Sequence, residues 1–192
     1  MPDTIRTFIG VPVTFPSKLA TVWQAFAALG RGVKSVDDGS THITLKFLGD
    51  TSPQHVDQIT AIIAEHATTV APRDTVVRGL NAFPNRQRPA IIWAALEDTA
   101  DLVTLAGSLE TALEPEGFAR ERRAYTPHLT LARVRAIKAG SRAQIPDGVM
   151  ELMAQHVDTD FGTVRIDEVV LYRSVLSDAG PTYSRLSTVK LA

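Results

Sequence analysis

The sequence predicts an α+β protein of two lobes, built as pseudo-two-fold duplicated antiparallel sheets with helices on the outside and a central cleft. Three observations carry that expectation. The tetrapeptide His42-Ile43-Thr44-Leu45 is echoed 86 positions later by His128-Leu129-Thr130-Leu131, as an internal duplication would leave it. Strand-like stretches follow one another in hairpin order rather than at the intervals of regular crossovers. Three segments with apolar residues at helical spacing lie between them. One domain, residues 1–192, is expected, each lobe carrying one motif, and 192 residues that are 44% hydrophobic can bury such a core.

Residues 4–13 read as the first strand, closed by Pro16. Ser17 is a good N-cap for a helix that turns Leu19, Val22, Phe26 and Leu29 inward, with Gly30 at its C-terminal end. Residues 33–36 and 40–48 are extended and joined by Asp37-Asp38-Gly39, so the first motif lies in a strand that Gly49-Asp50 ends. A second helix opens at Thr51 or Ser52, with Pro53 in its first turn and Val56, Ile59 and Ile63 as its inward stripe. Residues 75–83 and 90–96 are strands joined by a hairpin-like connection. Asp98 or Thr99 caps a third helix bearing Leu102, Leu105, Leu109 and Leu113, stopped by Pro115 and Gly117. The second motif strand runs to about Val134. Pro146 and Gly148 interrupt the next stretch, leaving a short helix over 149–156. Two long strand patterns, 162–176 and 183–191, joined by residues 177–181, close the chain.

Composition removes several classes of chemistry. There is no cysteine, hence no disulfide, thiolate nucleophile or Cys-based zinc site, which fits a reducing cytoplasm. The apolar run from Phe8 to Val13 is too short for a signal-peptide core or a membrane span. A formal net charge of -1 argues against coating nucleic acid by bulk electrostatics. Locally the balance differs: residues 118–142 carry seven basic residues, including Arg120, Arg122, Arg123 and Arg133, against Glu121 alone. That run brackets the second motif, so it is either a solvated face or the surround of an anionic ligand. A cytoplasmic monomer is expected, with no membrane association and no obligate protein partner.

Side chains alternate faces in a strand, so His42 and Thr44 share one face, His128 and Thr130 share another, and the aliphatic residues between them point to the core. A single histidine of this kind is more often structural than catalytic. Two in matching patterns suggest a pair facing one cleft. The other histidines, His55, His66 and His156, lie off the motifs and are read as surface or structural residues.

With their flanks, THITLKFLGD and TPHLTLAR, these motifs resemble those of the two-histidine phosphoesterases, specifically the bacterial and archaeal RNA 2′,3′-cyclic phosphodiesterases, also called 2′-5′ RNA ligases. RTFIGV, NAFP followed by RPAIIW, and LYRSVLSDAGPTY agree in order and spacing, so the resemblance spans nearly the whole chain. Thr126 and Ala90 depart from it at places where such proteins often carry a basic residue.

The resemblance implies metal-independent, cofactor-free opening of a 2′,3′-cyclic phosphate to a 2′-phosphate, on RNA ends or small cyclic nucleotides, with RNA ligation as a reverse activity. It makes His42 the proton donor to the 3′ oxygen and His128 the base that activates water, although the symmetry of the motifs leaves those roles exchangeable on sequence alone. Thr44 and Thr130 would donate to the non-bridging oxygens. Arg133 is the implied phosphate contact, yet strict alternation puts it opposite His128, so a twist or strand end has to bring it round. Lys46 has the parity of Thr44 and would meet phosphate or simply reach solvent. Phe47 offers a surface for a base or a residue for the core. Two other classes stay open: a non-catalytic RNA-end binding module, and a metallohydrolase. The second lacks cysteines and any HxxxH or HxH spacing, whereas zinc catalysis uses about three protein ligands.

Overall fold

The computed structural model describes residues 4–139, 142–177 and 180–192. Its strands are β1 (Ile5–Pro12), β2 (Val33–Ser35), β3 (His42–Thr51), β4 (Arg73–Phe83), β5 (Ile91–Leu96), β6 (His128–Val134), β7 (Ile137–Ala139), β8 (Arg142–Gln144), β9 (Asp160–Ile166), β10 (Glu168–Ser177) and β11 (Gly180–Lys190). The helices are α1 (Ser17–Ala28), α2 (Val56–Ala67), α3 (Ala100–Leu113) and α4 (Val149–Gln155). Eight strands follow one antiparallel path, β11-β10-β1-β3-β6-β5-β4-β9, with β2 paired to β6, while β7 and β8 form a separate hairpin.

The path has a centre. The motif strands β3 and β6 meet there through the pair Ile43 and Leu129. Outward from it, β1 and β5 are equivalent neighbours, then β10 and β4, then β11 and β9. Apart from short β2 and the β7–β8 hairpin, each half runs strand, helix, motif strand, helix: β1-α1-β3-α2, then β5-α3-β6-α4. The chain then crosses over, so β4 pairs with β5 of the second half and β10 with β1 of the first. The α+β class and the duplication are borne out.

Residues 162–176, expected as one strand, are two: β9 ends at Ile166 and β10 begins at Glu168. Alternating apolar residues continue through the break, so composition does not show it. The consequence is large, because β9 and β10 sit near opposite ends of the path. Only a sheet curled until its ends approach can join them through Asp167. At smaller scale, Ser17 lies inside α1 with Pro16 as the cap, and Pro53 opens a 3-10 turn ahead of α2. Asp178 and Ala179 of the final connection lie outside the described residues.

One face of the sheet takes the helices. Leu19, Val22 and Phe26 of α1, Ile59 and Ile63 of α2, and Leu102, Leu105 and Leu109 of α3 join Ile43, Leu45, Leu129 and Leu131 in one buried cluster. Each such side chain contributes about 1.5–3 kcal/mol on full burial. A one-residue slip of either motif strand would turn its histidine into that core and its aliphatics into water, so the core fixes the face that the imidazoles occupy. No helix among the described residues is long and apolar enough to cross a membrane.

Candidate active site

His42 and His128 each begin their strand. β3 and β6 meet antiparallel at a single pair, Ile43 and Leu129, the residue between the His and the Thr of each motif, so both imidazoles and both hydroxyls flank one junction. The two imidazoles are close enough there for the charge of one to act on the other. All four residues are partly exposed, on the face away from the helices.

The rings are held alike. His42 Nδ1 lies 2.8 Å from the carbonyl oxygen of Ser40, and His128 Nδ1 lies 2.7 Å from that of Thr126. A carbonyl only accepts, so Nδ1 donates in both, and Nε2 is left as the nitrogen that gains or loses a proton. Burial holds both pKa values below the ordinary imidazole value, opposed by these carbonyls. Charge on His128 lowers His42 further, and the Arg133 guanidinium lowers His128.

Aromatic rings supply that burial. His42 packs on Phe8 at 4.7 Å and Tyr183 at 5.2 Å between centroids, with Phe8 stacked on Tyr172 at 4.9 Å. His128 packs on Phe83 at 5.1 Å and Trp93 at 5.6 Å. Gly10 allows the first of these arrangements, since a Cβ there would lie 3.0 Å from the carbonyl oxygen of Ile43 and 3.4 Å from the His42 ring. None of these residues stood out as a site residue in sequence. The signal was present, because the flanking stretches RTFIGV, NAFP, RPAIIW and LYRSVLSDAGPTY hold all five aromatics.

Immediately past the threonines each motif strand carries a bulge, and β3 has a second one further on, between Phe8–Phe47 and Thr7–Gly49. Between Ile9–Lys46 and Gly10–Thr44 the β1–β3 register shifts, and β5–β6 shifts between Ile92–Ala132 and Trp93–Thr130. The inserted residue makes two successive side chains face the core: Leu45 and Lys46 in β3, Leu131 and Ala132 in β6. The next residue of each strand returns to the cleft. Arg133 is therefore exposed on the side of His128, and Phe47 is 68% exposed beside Phe8, their centroids 6.0 Å apart, rather than in the core.

The same shift overturns the expectation for Lys46. It is 3% exposed, and its ammonium donates to Glu110 Oε2 at 2.5 Å and to the carbonyl of Ala119 at 2.9 Å. Lys46 faces away from the phosphate position, and alternation misplaced it because the bulge inverts its parity. His55 is exposed and His66 and His156 are half-buried, all outside the cleft, with His156 Nδ1 at 3.1 Å from the Thr159 hydroxyl. Among the described residues no group of three or more His, Asp or Glu side chains could hold a metal ion.

A curled antiparallel sheet that joins two His-x-Thr strands across its centre is the architecture of a two-histidine phosphoesterase. The family model of the 2′-5′ RNA ligase superfamily matches residues 15–178, and the chain belongs to that family. It is 32% identical to proteins named RNA 2′,3′-cyclic phosphodiesterase from Aeropyrum pernix, over 91% of this chain and 96% of that one, and from Methanothermobacter thermautotrophicus, over 97% and 99%. A solved structure from Thermus thermophilus superposes with a TM-score of 0.74 at 26% identity, over 97% of this chain and 98% of the other. Apo LigT of E. coli shares the fold at a TM-score of 0.68 and 18% identity, over 99% of each chain.

Proposed function

We propose that the chain is an RNA 2′,3′-cyclic phosphodiesterase, a phosphoric diester hydrolase that opens the cyclic phosphate at an RNA end to a 2′-phosphate by His/His general acid-base catalysis. The observation that carries this reading is the symmetric quartet of two imidazoles and two threonines, each imidazole fixed through Nδ1 by a main-chain carbonyl.

His128 Nε2 takes a proton from water, and the water oxygen bonds to phosphorus as the P–O3′ bond breaks. His42, reacting as the imidazolium, passes its Nε2 proton to O3′, giving a 3′-hydroxyl and a 2′-phosphate. Each positioned transfer contributes roughly 10²–10⁴ in rate. The Thr44 and Thr130 hydroxyls donate to the non-bridging oxygens, and Arg133 offsets charge that grows there. Phe47 gives the base an exposed ring to stack on. A 5′-hydroxyl in place of water would, by the same steps, form a 2′-5′ linkage, and small cyclic nucleotides would be opened alike. This reading keeps the cytoplasmic, monomeric state expected from the sequence.

The test is product analysis by phosphorus NMR after incubating, in EDTA, an RNA oligonucleotide that ends in a 2′,3′-cyclic phosphate. A 2′-phosphate as sole product is expected. Binding without turnover would favour a recognition module, and activity lost in EDTA a metallohydrolase.

A further inference from the structure

A cavity of about 1280 Å³ opens beside the histidine pair, lined at one end by Thr44 and His128 and further out by α3 and residues 119–126. Pockets for a single drug-sized ligand run from about 300 to 1,000 Å³, so this one has room beyond one nucleotide. Its lining is of two kinds. Phe47 and the α3 residues Val103, Ala106 and Gly107 make an apolar side, with Val103 43% exposed. Arg120, Arg122 and Arg123 line it as well, with Arg120 against the C-terminal end of α3, where its Nη2 donates to Thr111 Oγ1 at 3.4 Å.

The charges lining the cavity are four cationic side chains and two carboxylates, in a chain whose net charge is -1. Both carboxylates are already engaged. Glu110 is paired with Lys46, and Glu121 accepts the main-chain N–H of Arg123 at 3.0 Å. Arg120 reaches Glu114 at 3.7 Å, whereas among the described residues Arg122 and Arg123 have no carboxylate within 4.0 Å. The basic segment is also fixed in place. Lys46 holds the carbonyl of Ala119, and Glu110 Oε2 accepts from the N–H of Glu121 at 3.2 Å, tying the segment to β3 and α3.

We propose that this groove is a subsite for single-stranded RNA adjoining the reacting end, with Arg122 and Arg123 against backbone phosphates and the α3 side under the bases. The inference rests on the phosphodiesterase reading of the histidine pair. A groove that combines an exposed stacking ring, here Phe47, with cationic side chains is how proteins hold single strands without reading sequence. Lys46 is then a positioning residue for the basic segment, acting through Ala119 and Glu110.

The test compares kcat/KM for a 2′,3′-cyclic mononucleotide with that for a hexanucleotide ending in a 2′,3′-cyclic phosphate, across a salt series. The wild type is expected to prefer the hexanucleotide at low salt. In the double variant Arg122→Gln and Arg123→Gln that preference falls roughly tenfold, and the slope of log kcat/KM against log salt for the hexanucleotide flattens by about 1.4, or 0.7 for each lost phosphate contact. Gly107→Leu lowers the same ratio by narrowing the groove, and a Cβ at Gly107 meets no atom within 4 Å, so the helix accommodates it. Because each variant is scored as a ratio of two substrates, a general loss of folded enzyme cancels. Ratios within twofold of wild type in both variants would overturn the subsite while leaving the phosphodiesterase intact; a wild type that opens neither substrate would overturn both.

Discussion

Lys46 and Glu110 form a buried ion pair 2.5 Å long, with the lysine side chain 1% exposed, behind the strand that carries His42. The pair links β3 to α3. Breaking a buried pair by removing one partner leaves the other charge uncompensated, at a cost of about 3–5 kcal/mol, and Glu110 is 15% exposed, which favours the lower figure. Lys46→Met is therefore expected to lower unfolding stability in urea by about 3 kcal/mol. Unchanged stability with a collapse of kcat would return Lys46 to the phosphate.

How much of the site was legible in sequence turns on these bulges. The His-x-Thr pairs, their shared face and the duplication follow from period-2 alternation and a repeated tetrapeptide, and the structure keeps all three. Alternation holds only while the ladder is regular. One inserted residue in each motif strand exchanged the places of Lys46 and Phe47, and brought Arg133 to the cleft, and nothing in HITLKF or HLTLAR marks the insertion. The break at Asp167 was hidden for a related reason: buried strands read alike whichever edge of a sheet they join. The aromatic walls of Phe8, Tyr172, Phe83 and Trp93 come from strands distant in sequence, which only the assembled sheet sets beside the histidines.

Arg133 acts on His128 through charge. Its guanidinium lowers the His128 pKa, so Arg133→Gln should let that pKa rise toward the ordinary value. The base must be neutral to accept a proton from water, hence the acid limb of kcat/KM against pH is expected to move to higher pH, with kcat/KM itself down at least tenfold. An acid limb that stays in place, or moves to lower pH, would remove His128 from the role of base.

Stability should carry the same signature. Both folded histidine pKa values lie below the unfolded value of about 6.5, so between them the unfolded chain binds more protons than the folded one. Stability therefore declines as pH falls through 6.5 toward the folded values. The melting temperature is expected to drop between pH 7.5 and 5.5, and to drop less in the double variant His42→Asn and His128→Asn. An equal drop in both proteins would show that folding does not lower the histidine pKa values.

The decisive measurement is kcat on a 2′,3′-cyclic phosphate substrate for His42→Ala and His128→Ala separately, with circular dichroism confirming that each remains folded. Two imidazoles placed across one phosphate predict a loss of roughly 10²–10⁴ for each variant, since each removes one of two positioned proton transfers. Either variant turning over within tenfold of wild type would contradict that arrangement.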